Sequence, residues 1–151
     1  MYDINDLKTI SMLSHLTDPM LKKISEITTT RKYDAGQYVF KEGDYADFIY
    51  SVIEGMVGLE VAKSSTTRVT VSSSTQGMTF GTTALVELEN KKYLGYARAI
   101  KDTKVFCWRG SDMEKLFYDD YELGFLVMRK LAKILNSRMQ SVTSQFADIF
   151  G

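Results

Sequence analysis

Tyr33-Asp34-Ala35-Gly36-Gln37-Tyr38-Val39-Phe40-Lys41-Glu42-Gly43-Asp44 sets the reading of the whole chain. Short extended pieces alternate with the turns Asp34-Ala35-Gly36 and Glu42-Gly43-Asp44, and glycine supplies the positive φ angles such reversals need. The same rhythm continues toward the C-terminus. Phe48 to Ile53 runs into Glu54-Gly55, Met56 to Val61 follows, and Thr67 to Ser73 alternates around Val69 and Val71 as a half-exposed strand. The serines and threonines at 64–67 and 72–75 read as solvated hairpin surface. Turn signals at a spacing of roughly ten residues argue for a β-sandwich or roll over Arg31 to Trp108.

Helical patterning brackets this β region. Leu7, Ile10 and Leu13, then Met20, Leu21, Ile24 and Ile27, approach a 3.6-residue period between Asn5 and Thr30. Asp18-Pro19 predicts a helix start with Asp18 as the N-cap, and the threonines at 28–30 predict its end. Beyond the strands, Ser111 with Glu114 predicts a capping box for a short helix through Phe117. Asp119-Asp120 then places acid at the start of a long helix, Tyr121 to about Thr143. Leu126, Leu131, Ile134, Leu135, Met139 and Val142 line one broad side of it, widened by Val127 and Met128. An apolar arc of that breadth serves two contacts, one with the roll and one with a second copy, so a homodimer through this helix is the expectation. Arg129, Lys130, Lys133 and Arg138 read as a solvated face.

The bulk numbers exclude several functions. At 151 residues the chain suits one domain with a real core. Nineteen basic and nineteen acidic residues cancel, so nothing general draws it to nucleic acid or a membrane. No apolar run approaches a membrane span, and MYDINDLKTI is too polar for a signal peptide, which leads to the expectation of a cytoplasmic protein. A single histidine, His15, and a single cysteine, Cys107, leave no histidine-rich or cysteine-rich metal site. No metal or cofactor is expected. Cys107, within Val105-Phe106-Cys107-Trp108, reads as a buried structural thiol. A cupin-like enzyme would place several histidines on strands, and the β region has none.

The stretch FGTTALVELENKKYLGYARA, Phe80 to Ala99, is the candidate site. Small residues let a backbone approach a ligand, and the short helical run at Thr83-Ala84 offers free N–H groups. A charged segment, Glu87 to Lys92, separates it from a strand-like run, Tyr93 to Ile100. Candidate ligand-binding residues are Phe80, Gly81, Thr82, Thr83, Ala84, Leu85, Tyr93 and Leu94. Their hydroxyls and apolar walls suit a neutral or weakly polar small molecule.

Helices, then a glycine-punctuated roll, then a long helix resemble the cyclic nucleotide-binding domain, specifically the effector domain of catabolite activator type regulators. Tyr33 to Asp44, FIYSVIEGMV (Phe48 to Val57), Phe80-Gly81, Ala84-Leu85 and Ala97 to Val105 carry the resemblance. It implies a mainly β fold: a double-stranded, jelly-roll-like β-roll over 31–110, N-terminal helices over 1–30 and C-terminal helices over 111–146, all one domain. It also implies a glutamate for the ribose and an arginine for the cyclic phosphate, and these positions fall on Thr82 and Tyr93. A buried phosphate wants a paired cation. The expectation is therefore a non-catalytic small-molecule sensor that does not hold cyclic AMP or cyclic GMP in the usual way. Two alternatives remain: a cyclic-nucleotide binder with altered contacts, and the effector domain of a transcription regulator lacking its DNA-binding half. Phe146-Ala147-Asp148-Ile149-Phe150-Gly151 resembles the hinge that leads to a helix-turn-helix in that group, but the recognition helix is missing, so no specific DNA binding is expected of this chain.

Overall fold

The computed structural model describes residues 2–87 and 89–150, the side chains of residues 149 and 150 excepted. Leu88 of the charged segment and Gly151 of the hinge-like end lie outside the described residues. The chain opens with α1 (Ile4–Leu7), a 3-10 turn (Ser11–Leu13) and α2 (Asp18–Glu26). The strands are β1 (Thr29–Tyr33), β2 (Tyr38–Phe40), β3 (Phe48–Glu54), β4 (Val57–Ala62), β5 (Arg68–Ser74), β6 (Thr79–Phe80), β7 (Tyr96–Ala99) and β8 (Thr103–Arg109). Helix α3 (Thr83–Val86) interrupts them, and α4 (Gly110–Asp119) and α5 (Tyr121–Phe150) close the chain.

The strands form two four-stranded antiparallel sheets, β1-β8-β3-β6 and β2-β7-β4-β5. This is the mainly β roll with flanking helices that the glycine rhythm predicts. Gly36, Gly43 and Gly55 all carry positive φ at their reversals. At Gly55 the constraint is double, because a Cβ would also stand 2.4 Å from the Thr103 hydroxyl.

Alternation along β8 divides the core in two. Phe106 and Trp108 face the helices and pack with Ile49, Leu7, Leu21, Ile24, Leu123, Val127 and Leu131. Val105 and Cys107 face the roll interior with Phe40, Tyr50, Val52, Phe80 and Tyr93. Successive strand residues point to opposite faces, so one strand serves both cores. Trp108 is fully buried, and its indole N–H donates to Thr28 Oγ1 at 2.7 Å, which spares a buried donor from going unmet.

Three helix-end expectations are corrected. Thr17, not Asp18, caps α2: its hydroxyl accepts weakly from the Met20 amide at 3.4 Å, while Asp18 occupies the first turn and pairs with Lys8 at 3.1 Å. Proline is equally at home one position further in, since the early amides have no intrahelical partner. The Ser111–Glu114 capping box does not form. Helix α4 begins at Gly110 with no side-chain cap, because Gly110 lets the backbone press on the Ala84 carbonyl, where a Cβ would come within 2.2 Å. The N-terminal pattern is a short helix and a 3-10 turn rather than one helix. The Thr9 hydroxyl donates to the Asp6 carbonyl at 2.7 Å and the Ser11 amide to the Gly77 carbonyl at 3.0 Å, so the chain leaves the helical ladder to bond the roll.

Helix α5 runs past Thr143, whose hydroxyl donates back to the Met139 carbonyl at 2.9 Å and so fits within the helix. Its broad apolar side resolves into two faces. Leu123, Val127 and Leu131 are buried against the roll, a set in which Leu123 was not foreseen, with Ile134 partly buried beside them. Phe125, Met139, Val142 and Phe146 are exposed, about a third of a turn away. The exposed strand also departs from expectation: β5 is exposed along its length up to the buried Ser74, rather than half-buried.

Candidate functional site

The turn from β6 into α3 starts the site. Gly81 has φ +76, and a Cβ there would meet the Tyr50 ring at 3.1 Å and the Phe48 carbonyl at 3.2 Å. Only glycine lets the chain bend so close to β3. Thr82 follows at the start of α3 and makes no side-chain cap bond. Opposite, Tyr93 is fixed by its backbone to the Glu42–Asp44 turn, its amide donating to the Asp44 carbonyl and its carbonyl accepting from Gly43, both at 2.9 Å.

Between these pieces lies a cavity of about 260 Å³, lined by Phe80, Gly81, Thr82, Thr83, Tyr93 and Leu94 together with Phe40, Leu59, Glu60, Tyr96 and Arg138. Six of the eight sequence candidates thus meet at one place. The other two do not. Ala84 is buried beneath the cavity in the roll core. Leu85 turns to the far side of α3, where it lines a separate groove with Phe117, Tyr121 and Phe125. Four residues of helix cannot aim successive side chains at one point. Leu94 is 80% exposed and stands at the rim rather than forming a wall.

Tyr93 is the decisive side chain. Its ring lies flat on Phe40, centroids 3.6 Å apart and planes 8° from parallel. Its hydroxyl donates to the Phe48 carbonyl and accepts from the Phe48 amide at 3.3 Å. Burial pushes its pKa up to about 12, against the opposing pull of the Phe48 bond. Tyr50, stacked on Phe80 at 5.1 Å, is likewise raised by burial. The position at which the resemblance places a phosphate-pairing arginine therefore holds a neutral ring whose one polar atom is already spent on β3.

The charged groups of the cavity come from elsewhere. Glu60 of β4 is 4% exposed and receives Arg98 Nε at 2.8 Å; the Tyr38 hydroxyl reaches its other oxygen only at 3.5 Å. Arg98 sits opposite Gly58 in the β4–β7 register, close enough to neutralise a carboxylate that burial would otherwise penalise. Arg138 enters from α5, its Nη2 donating to the Thr79 carbonyl at 2.7 Å, and burial lowers its pKa. Neither Glu60 nor Arg138 was among the sequence candidates. A buried strand position carries no local motif, and Arg138, expected on a solvated face, is instead half-buried against the roll, so only the sheet register and the helix crossing bring the two in.

The sequence pattern of the family described as Cyclic nucleotide-binding domain matches residues 30–120. The chain belongs to the cyclic nucleotide-binding domain family. Among its relatives, the cAMP-dependent protein kinase type II regulatory subunit of Drosophila melanogaster is 28% identical over 144 residues, covering 87% of this chain and 36% of that protein. A Geobacter metallireducens GS-15 protein proposed to bind cyclic nucleotides superposes with a TM-score of 0.80 at 27% identity, over 92% of this chain and 99% of that one. The regulatory subunit of a cAMP-independent protein kinase A from Trypanosoma brucei shares the fold at a TM-score of 0.77 and 16% identity, over 95% of this chain and 50% of that one. The chain spans 20% to 36% of the length of the curated relatives it matches.

Proposed function

We propose that this cyclic nucleotide-binding domain is a non-catalytic regulatory sensor whose roll pocket takes a small polar ligand other than through the usual cyclic-phosphate clamp. The observation that carries the reading is Tyr93. On the resemblance its stacked ring stands where the arginine would, and its hydroxyl is committed to Phe48, so this position offers a cyclic phosphate no cation, and the pocket's Arg138 comes from α5 instead. The remaining polar groups suit a ligand that offers a donor toward Glu60 and an acceptor toward Arg138, with Thr82 and Thr83 between. The cavity, about 260 Å³, lies just below the range of roughly 300–1,000 Å³ usual for ligand pockets, which favours a compact molecule. A fold shared with a cAMP-independent kinase subunit is compatible with that reading.

Calorimetric titration with cyclic AMP and cyclic GMP tests it: no saturable heat at micromolar ligand is expected, and micromolar binding of either would overturn it. The ligand's signal would leave through α5, which contributes Arg138 to the pocket and carries the exposed Phe125, Met139 and Val142 on its other apolar face. That face is proposed to pair with a second copy, giving a homodimer without specific DNA binding by this chain. Light scattering should return twice 17.2 kDa, and a monomer mass at micromolar concentration would remove the dimer. The second reading is the effector domain of a transcription regulator, a reading supported by the fold shared with a catabolite activator protein.

A further inference from the structure

Arg138 lines a second cavity besides the roll pocket. This one, about 290 Å³, lies between α5 and the 3-10 turn; Lys130, Lys133 and Ser137 of α5, Ser11 of the turn and Thr79 of β6 line its polar part, and Met78 and Ile134 form an apolar wall. Lys130, Lys133 and Ser137 recur every three to four residues and so lie along one side of the helix, with Arg138 next in sequence at the edge of that side. No acidic side chain among the described residues lines the cavity. Among the described residues, none of the three cations has a carboxylate within ion-pair distance. The chain as a whole balances its charges, nineteen against nineteen, so three cations sharing one concavity is a local concentration. It also has a cost, since like charges at helical spacing destabilise a helix.

We infer that this cavity is a phosphate site, in which Lys130, Lys133 and Arg138 receive the phosphoryl group of free phosphate or of a small phosphate monoester. Three cations call for more than a single negative charge. A phosphate monoester carries about −1.5 to −2 at neutral pH and offers several acceptor oxygens. The guanidinium meets phosphate through paired N–H donors, while the two ammonium groups act as point charges. The hydroxyls of Ser11 and Ser137 add short donors from the turn and from the helix. A concave pocket on a chain of zero net charge suits a small anion better than a polyanion, which wants an extended basic surface. The site is separate from the roll pocket and shares only Arg138 with it. Occupancy of either therefore changes the field at the other, and any coupling between them is reciprocal.

The experiment is a titration of the intact chain with inorganic phosphate at constant ionic strength, followed by thermal unfolding and by amide shifts. A saturable rise in Tm is expected, with the largest shifts at Ser11, Lys133 and Ser137. Sodium chloride at equal ionic strength should reproduce neither. Ribose 5-phosphate and ribose form the second arm: a monoester ligand shows as tighter binding of the former, free phosphate as binding of inorganic phosphate alone, and both support the site. The double variant Lys130→Ala/Lys133→Ala should weaken phosphate roughly tenfold or more, as expected for lost charge-assisted bonds. Lys130→Arg/Lys133→Arg should retain it, and Lys133→Glu, at an exposed position, checks the loss in a fold left intact. The inference fails if chloride gives the same shift, if ribose binds as well as its phosphate, if no saturation occurs, or if the double alanine variant binds unchanged.

Discussion

The two sheets of the roll have the same number of strands and opposite duties. In β1-β8-β3-β6 the inner strands β8 and β3 are covered on both faces, while the edge strand β1 is largely exposed: Phe106, Trp108 and Ile49 meet the helices on one side, and Val105, Cys107, Tyr50 and Val52 fill the roll on the other. In β2-β7-β4-β5 only the inner face is covered, and β5 is exposed from Arg68 to Ser73. The hydrophobic term scales with area removed from water, so the covered sheet holds most of the stability. The open sheet is then free to carry polar groups, and it supplies Glu60 at the cavity together with Arg98 paired to it. Substitutions graded across the two sheets should separate these roles.

The largest effect is expected at Trp108. Replacing it by alanine empties the centre of the covered sheet and removes the indole donor to the Thr28 hydroxyl, which keeps its bond to the Ile24 carbonyl, and should cost about 3–5 kcal/mol in a urea or thermal unfolding experiment. A cost below about 2 kcal/mol, the floor for large-to-small changes at a well-packed site, would mean that the helices do not hold this sheet shut. Tyr93→Phe comes next. The ring would keep its stack on Phe40, but the carbonyl and amide of Phe48 would lose their partner, at about 1–3 kcal/mol. Ultraviolet titration of the parent chain offers a separate check, since one tyrosine should ionise only near pH 12.

Asp120 ties α5 to the covered side. One carboxylate oxygen accepts from Lys23 at 2.9 Å and the other from the Leu123 amide at 3.1 Å, in that order the causes that hold its pKa below the usual carboxylate range. Asp120→Ala should cost about 1 kcal/mol at neutral pH, the usual worth of a helix cap. The folded pKa is the lower one, so the stabilisation is present above the unfolded value of about 3.9 and is lost as pH falls through the folded value. The stability gap between parent and variant should therefore close in acid. A gap that persists at pH 2 would assign the effect to something other than the charge.

The chain announces its frame and hides its chemistry. Gly36, Gly43 and Gly55 could be read as reversals because positive φ is a local demand met by one residue type. Strand alternation and helical period are local as well, and every strand from β1 to β5 lies within a residue or two of its expected place. The missing capping box at Ser111 marks where local rules fail, since the contact of Gly110 with Ala84 decides that helix start. The site failed in the same way. Phe80 to Thr83 and Tyr93 were visible as a cassette, but Leu85 left it because a short helix turns, and Glu60 and Arg138 joined it through sheet register and helix crossing. Pairing at that range leaves no trace in spacing.

The smallest effect is expected on the open sheet, and it is the sharpest test of the contrast. Val71 of β5 is 50% exposed, with Val69 and Val61 beside it at 41% and 42%. Val61 and Val69 pair across β4 and β5 and Val71 falls at the register shift between them, and all three stay largely exposed, so each removes little area from water. Val71→Ser should change stability by less than about 0.5 kcal/mol, as surface substitutions do. Because Val71 also lines the roll pocket, the same variant can alter ligand response while leaving unfolding untouched. A cost well above that bound would show that the valine strip is covered in solution. The open sheet would then be an interface, and the division of duties between the two sheets would have to be redrawn.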